Sequence, residues 1–244
     1  MKRFVLITLC ALLWTATNAQ NHHILGLFPT YNQNGHLSEK LDYSIYSFLA
    51  IHPFEQSVTD DTFQDFIYEP KINAAYIELD LIYNINPRWS TAASYTYEGV
   101  NLFNEPYRNE HRVWLQVQHY NKLPKWRFKN RVRYDFRFVE DVLTGDFGFK
   151  PRVRYLIGVD KALNVKSLYF AAYNEFFFDT FDSNVQLYSE NWAFAGIGFN
   201  LTKRSKIETG PLIISWIRNG SNDWLNQYFL QMTLIAQFDV FAKA

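Results

Sequence analysis

Residues 127–138 read RFKNRVRYDFRF, and this stretch decides the fold. Phe128, Val132, Tyr134, Phe136 and Phe138 alternate with Arg127, Lys129, Arg131, Arg133, Asp135 and Arg137, so every charge falls on one face. A period of two belongs to a strand, whose successive side chains point to opposite sides. A helix would scatter the same charges around its surface. The segment therefore separates two unlike environments, one apolar and one strongly polar.

The same alternation recurs outward from this stretch. In residues 72–84, Ala75, Ile77, Leu79, Leu81 and Tyr83 oppose Tyr76, Glu78 and Asp80. In residues 227–239, Tyr228, Leu230, Met232, Leu234, Ala236 and Phe238 oppose Gln227, Gln231, Thr233, Gln237 and Asp239. Ten such segments are predicted, near 40–52, 72–84, 89–101, 110–121, 126–138, 150–160, 167–178, 189–201, 206–217 and 225–239. Most slightly exceed the roughly 9–11 residues with which a tilted strand crosses a bilayer.

The connections alternate in length. Those at 85–88, 122–125, 161–166 and 202–205 are short, and those at 53–71, 102–109, 139–149, 179–188 and 218–224 are longer. Short periplasmic turns and longer external loops characterise bacterial barrels. Arg88, Lys122, Lys125, Lys161, Lys166, Lys203 and Arg204 crowd the short turns, while Glu55, Asp60, Asp61, Asp65, Asp141, Asp146 and Asp182 crowd the long ones. Residues 83–89 (YNINPRW) return as residues 120–126 (YNKLPKW). Proline and asparagine make the turn. Tyr83, Trp89, Tyr120 and Trp126 are candidates for an aromatic girdle at the headgroup layer. Tyr120 fits that role only if a bulge shifts its register, because its parity matches Arg112, Gln116 and Gln118.

At the N-terminus, Lys2 and Arg3 precede an apolar run from Phe4 to Trp14, with small Thr17 and Ala19 behind it. This is the layout of a secretory signal peptide, with cleavage expected after Ala19. The run is too short for a helical anchor. Cys10, the one cysteine, lies inside it, so the mature chain is expected to lack thiol chemistry and disulfides. The 24 basic and 24 acidic residues become 22 and 24 without the leader, which leaves no basic field for nucleic acid. With 18% aromatic residues, strands are favoured.

Together these features predict an all-β protein: an antiparallel transmembrane β-barrel of about ten strands, twelve if a crossing is hidden, after a cleaved signal peptide. The expected division is 1–19 signal peptide, 20–39 a lumenal or periplasmic segment, and 40–244 barrel. Residues 22–31, with ILGLF at their centre, are set outside the wall because bacterial single-chain barrels have even strand numbers. A soluble barrel or sandwich is the opposite arrangement, with the apolar face as core.

Several stretches carry a family resemblance: LGLFP at 25–29, NEHRVW at 109–114, RVRYDFRF at 131–138, YNEFFF at 173–178, ENWAFAGIGF at 190–199 and IETGPL at 207–212. They resemble the uncharacterised outer-membrane family called domain of unknown function 2490. The resemblance implies an exported barrel and carries over no catalytic residue.

The polar face holds the only constellation with chemical content. Arg112, Arg127, Lys129, Arg131, Arg133, Arg137, Arg152 and Arg154 form a basic ladder on three successive strands. Glu78, Asp80, Glu98, Glu175, Glu190 and Asp239 are the expected lumenal acids. Closing the sheet brings the two sets toward each other. One outcome is an internal salt-bridge network in a filled barrel with a structural or binding role. Another is a small anion-selective channel, in which the ladder attracts anions.

A third outcome is an outer-membrane hydrolase, which needs a histidine beside a serine or carboxylate at the rim. His52, near Glu55 and Ser57, is its one candidate, since His111 and His119 share parity with Val113, Leu115 and Val117. The adjacent His22 and His23 do not make a metal site by themselves. No enzyme activity, cofactor or metal is expected. The expected partners are outer-membrane lipid and, during biogenesis, the barrel assembly machinery, at the bacterial outer membrane. Substrate and oligomeric state are open.

Overall fold

The computed structural model describes residues 22–53, 55–59, 62–67, 71–103, 106–165, 167–180, 187–217 and 224–240. The predicted signal peptide with Cys10, and the loop residues Asp60, Asp61, Lys166 and Asp182, lie outside them. The described residues contain no helix.

In chain order the strands are β1 (His22–His36), β2 (Leu41–His52), β3 (Glu55–Thr59), β4 (Thr62–Ile67), β5 (Lys71–Asn84), β6 (Trp89–Leu102) and β7 (Arg108–Leu123). They continue as β8 (Trp126–Glu140), β9 (Phe147–Phe149), β10 (Arg152–Ala162), β11 (Leu168–Asp179), β12 (Tyr188–Asn200), β13 (Ser205–Ile217) and β14 (Trp224–Gln237). Eleven of them close into one barrel, in the order β1, β2, β5, β6, β7, β8, β10, β11, β12, β13, β14 and back to β1. Pairing of β8 with β10 bypasses β9, a short extra strand against Phe138 to Glu140. The β3–β4 hairpin is a separate two-stranded sheet inside the loop between β2 and β5.

Each of the ten predicted segments coincides with a wall strand to within about two residues at either end. The count differs by one. β1 is a wall strand, antiparallel to β2 and parallel to β14. This corrects both the count of ten, or twelve, and the placement of residues 22–31 outside the wall. Without β1, the remaining ten strands would form an even antiparallel meander, which is the pattern that the parity rule extrapolates. The reason β1 enters the wall lies in its side chains. Phe28 turns inward, is 1% exposed and stacks on Phe48 with centroids 4.5 Å apart. Leu25 and Leu27 turn outward. A segment with one apolar outer face and one buried aromatic anchor has two environments to satisfy, and a wall position satisfies both.

Because eleven is odd, β1 begins at the end of the barrel that carries the long loops, and β14 finishes at the end with the short turns. The short turns have local causes. In residues 85–88 the Asn86 side-chain oxygen accepts the backbone N–H groups of Arg88 at 2.9 Å and Trp89 at 3.0 Å. The Thr202 hydroxyl accepts the N–H of Arg204 at 3.0 Å in the corresponding turn before β13. Such side-chain to backbone bonds are the mechanism by which Asn and Thr favour turns.

The two faces of the wall differ as the alternation predicts. Leu79 is 49% exposed and Val132 53%, and both point away from the lumen with Leu81, Val113, Leu115, Val117, Ile157, Leu230 and Met232. The arrangement in which the alternating apolar face forms the core is not the one observed, because that face is the outer one. One close approach needs glycine: the ring of Tyr169 on β11 lies over Gly198 on β12, where a Cβ would sit 2.0 Å from the ring.

The parallel seam is directly testable. Leu27 and Leu230 are Cα partners across β1 and β14, within the separation that a disulfide spans. Leu27→Cys with Leu230→Cys should cross-link on mild oxidation in the leaderless chain. Leu27→Cys with Leu234→Cys, four residues further along, should not. No cross-link in the first pair, as in a ten-stranded closure of β2 on β14, would contradict the seam.

Candidate functional site

The lumen contains the side chains with chemical potential, and a cavity of about 1290 Å³ is lined from both rims. Three levels can be distinguished along its length.

Toward the long loops, ion pairs join the ladder arginines to acids, while Arg108 and Lys150 line the same end and form none among the described residues. Arg112 pairs with Glu98 and Glu110, and Arg137 donates from Nη2 to Glu110 Oε2 at 2.9 Å. Arg152 donates from Nε to Asp179 Oδ1 and from Nη1 to Glu190 Oε2, both at 2.8 Å. Glu190 also accepts Trp192 Nε1 at 2.6 Å.

At mid-height, charges and aromatic rings cross the lumen together. Arg133 on β8 reaches Glu78 on β5 at 2.8 Å and lies 3.7 Å above the Trp114 ring of β7. Glu78 Oε2 further accepts Trp114 Nε1 at 3.0 Å and the hydroxyl of Tyr76. Trp114 is 0% exposed. Glu175 on β11 takes a two-pronged contact from Arg154, with both bonds 2.9 Å long, and one from Arg131 at 2.6 Å. Charge-assisted, bidentate bonds of this kind are the strong ones.

Beside these groups Phe28, Phe48, Tyr76, Phe194 and Phe229 form a buried cluster. Trp192 of β12 closes it from across the lumen, with its ring 5.8 Å from Phe28 and 6.0 Å from Phe48.

Toward the short turns the lumen is sparser. Arg127 pairs with Asp160, Lys206 with Glu208 at 3.3 Å, and Tyr173 donates to Gln231 at 3.1 Å. Lys129, Asp80, Gln116 and Gln118 line the space between. Among the described residues nothing forms an ion pair with Lys129 or with Asp80, whose Oδ1 is buried without a hydrogen bond.

The structure thus places the whole predicted ladder and Glu78, Asp80, Glu98, Glu175 and Glu190 inside the barrel. Asp239 is not with them. It lies beyond the end of β14 and accepts the Gln237 side-chain amide at 3.0 Å and the His36 N–H at 3.3 Å. Its predicted inward position fails because the strand ends first, at Gln237. Tyr120 is a second correction, this time to the girdle. The β7–β8 register runs without a bulge, so Tyr120 faces the lumen with Arg127 over its ring. Tyr83, Trp89 and Trp126 are exposed on the outside.

The ladder is also neutralised by Asp135, already on the charged face of residues 127–138, and by three acids that were missed: Glu110, Asp160 and Asp179. Parity would have found Glu110 and Asp160, since each shares a face with an arginine of its own strand. The cross-lumen aromatic cluster had no such signal, because it depends on which strands face each other after closure.

His52 is buried and stacks on Phe229 at 5.4 Å. The side chains of Glu55 and Ser57 lie outside the described residues. Among the described residues no group of three or more His, Cys, Asp or Glu is placed to hold a metal ion.

The family model described as DUF2490, protein of unknown function, matches residues 25–226. The chain belongs to the DUF2490 family. The match begins inside β1 and ends inside β14, so it takes in the barrel from one side of the parallel seam to the other. A search of curated proteins found no match to this DUF2490 chain.

The mid-lumen bridge yields a stability prediction. Arg133→Gln or Glu78→Gln alone leaves one buried charge without its partner, a loss of about 3–5 kcal/mol. The double replacement should cost clearly less than the sum of the singles. Denaturant unfolding of the detergent-solubilised protein measures the cycle, and strictly additive losses would contradict the bridge.

Proposed function

We propose that this chain is an integral outer-membrane β-barrel whose lumen is a filled, charged interior with a structural or binding role. Residues 1–19 direct its export, and the barrel assembly machinery inserts it. The observation that carries this reading is the inverted distribution of polarity. Apolar side chains are exposed around the outer wall, while guanidinium and carboxylate groups are packed inside. An apolar outer surface of this extent needs a cover, and lipid is a cover that leaves the interior unchanged.

Closure supports the same reading. Every wall strand has two hydrogen-bonded neighbours, so no backbone edge faces the hydrocarbon. Closure is the requirement that lipid imposes, and the odd count satisfies it. With the short turns in the periplasm, β1 starts on the external side and β14 ends on the periplasmic side.

The filled interior rests on two arguments. Barrels near eight strands are filled by side chains, and aqueous channels need about sixteen. Here Arg133 to Glu78, and Trp192 to Phe48, occupy the middle of the lumen. The second reading is a small anion-selective channel, favoured by the cavity's being lined from both rims. In neither reading does His52 act catalytically, since it is packed under Phe229.

Two measurements test the proposal together. The mature protein should fractionate with the outer membrane and migrate faster on a gel before heating than after. In planar bilayers it should give no steady conductance. Recovery as a soluble periplasmic protein without a heat shift would overturn the membrane reading, and stable anion-selective steps would replace the filled barrel with the channel.

A further inference from the structure

We infer that the short-turn half of the lumen is a binding cup for a small solute bearing an oxyanion, with Lys129 as its principal ligand. The inference rests on the filled-barrel reading and deepens it by assigning a ligand class to the stretch of the cavity around Lys129.

Charge is used unequally along the ladder. On the long-loop side every ladder arginine has a carboxylate partner: Arg112, Arg137 and Arg152 share Glu98, Glu110, Asp179 and Glu190. At mid-height Arg133 and Arg154 are likewise committed to Glu78 and Glu175. On the short-turn side Arg127 is committed to Asp160. Lys129 alone of the ladder makes no ion pair among the described residues, yet it lines the cavity. Two residues along the same face, Arg131 spends Nη2 on Glu175 while its Nε finds no acceptor. A cationic group held in a protein interior without a counter-ion is costly. An anion that enters with its own charge removes that cost.

The surroundings make room for such a ligand and add neutral donors. The residue facing Lys129 across the β8–β10 pair is Gly158, which contributes no side chain to the lumen. On the other side, β7 presents Tyr120 opposite Lys129 and Gln118 opposite Arg131. A phenol and a carboxamide supply hydrogen-bond donors that suit carboxylate or phosphate oxygens without requiring a second charge. Two acids lining this half lack a lysine or arginine partner among the described residues: Asp42 on β2, which bonds His36 and Asn84, and Asp80 on β5, with β6 and β7 between it and β8. The charge of Asp80 opposes anion binding from a distance, so its removal should strengthen the site.

Gly158 also provides a test that leaves charge untouched. A Cβ built there would lie 3.5 Å from the Ala172 carbonyl oxygen and 3.6 Å from Leu156 and Tyr173. These are ordinary contacts, so a larger side chain is tolerated by the wall and extends into the cup.

The experiment is isothermal titration calorimetry of the full mature protein in detergent, with inorganic phosphate and with acetate as separate probes. Each variant is first required to show the heat-shifted folded form. Saturable binding of at least one probe is expected, weakened at least about tenfold by Lys129→Gln, as loss of one charge-assisted bond implies. Gly158→Leu should weaken it by obstruction, Asp80→Asn should tighten it, and Arg88→Gln, on the exposed 85–88 turn outside the cavity lining, should leave it unchanged. Heat from phosphate alone assigns a tetrahedral oxyanion, and heat from acetate alone assigns a carboxylate. Absence of saturable heat with both probes, or binding by Lys129→Gln equal to that of the unaltered chain, would overturn the cup. If Gly158→Leu does not fold, Lys129→Gln decides. Steady conductance of the same preparation would instead overturn the filled-lumen reading, independently of these heats.

Discussion

The carboxylate of Glu78 is the contact on which the interior depends. It draws in Arg133 from β8, Trp114 from β7 and Tyr76 from its own strand, and so ties neighbouring sectors of the wall across open space. A barrel cannot collapse onto an apolar core in the way a sandwich does, because its hydrogen-bonded circumference fixes its width. Its middle must be held by side chains long enough to meet. Arginine, glutamate and tryptophan have that reach, and packing the guanidinium on an indole face adds up to about 2 kcal/mol when desolvated. The aromatic cluster around Phe28 and Phe48 plays the corresponding part beside it, joined to it through Tyr76.

This arrangement explains why the ladder is dense on β8 and why its acids come from elsewhere. Arginines spaced two apart on one strand repel each other unless each finds a carboxylate on a different strand. Glu110, Glu175 and Asp179 lie on neighbouring or facing strands and each serves two arginines. Asp135, 0% exposed and 3.6 Å from Arg154, adds charge balance without a hydrogen bond of its own. Of the ladder, Lys129 alone is left without such an acid among the described residues, and it lines the cup.

Much of this was readable in the chain. The strict alternation of residues 127–138 fixed both the strand and its inward face, and the same rule located ten wall strands closely. β1 was set outside the wall by the even-number rule and not for want of a strand pattern, and its two wall neighbours, β2 and β14, are remote from each other in sequence, so local alternation could not show that it joins them. Pairings between ladder and acids were legible as chemistry but not as partners, because closure decides which strands face each other. Tyr120 shows the limit of motif reading. Its YNKLPKW repeat matches YNINPRW letter for letter at the ends, yet its parity within β7 places it inside while Tyr83 is outside.

The central claim is that the apolar face meets lipid and the charged face does not. Spin labels at single cysteines replacing Leu79, Leu115 and Val132, and at Gln118 inside the lumen, test it in reconstituted vesicles. The account predicts high accessibility to dissolved oxygen and low accessibility to a water-soluble nickel chelate at the three outer sites, greatest near mid-bilayer. Gln118 should show the reverse preference. Equal exposure of the outer sites to the nickel chelate would contradict a barrel that is set in a membrane.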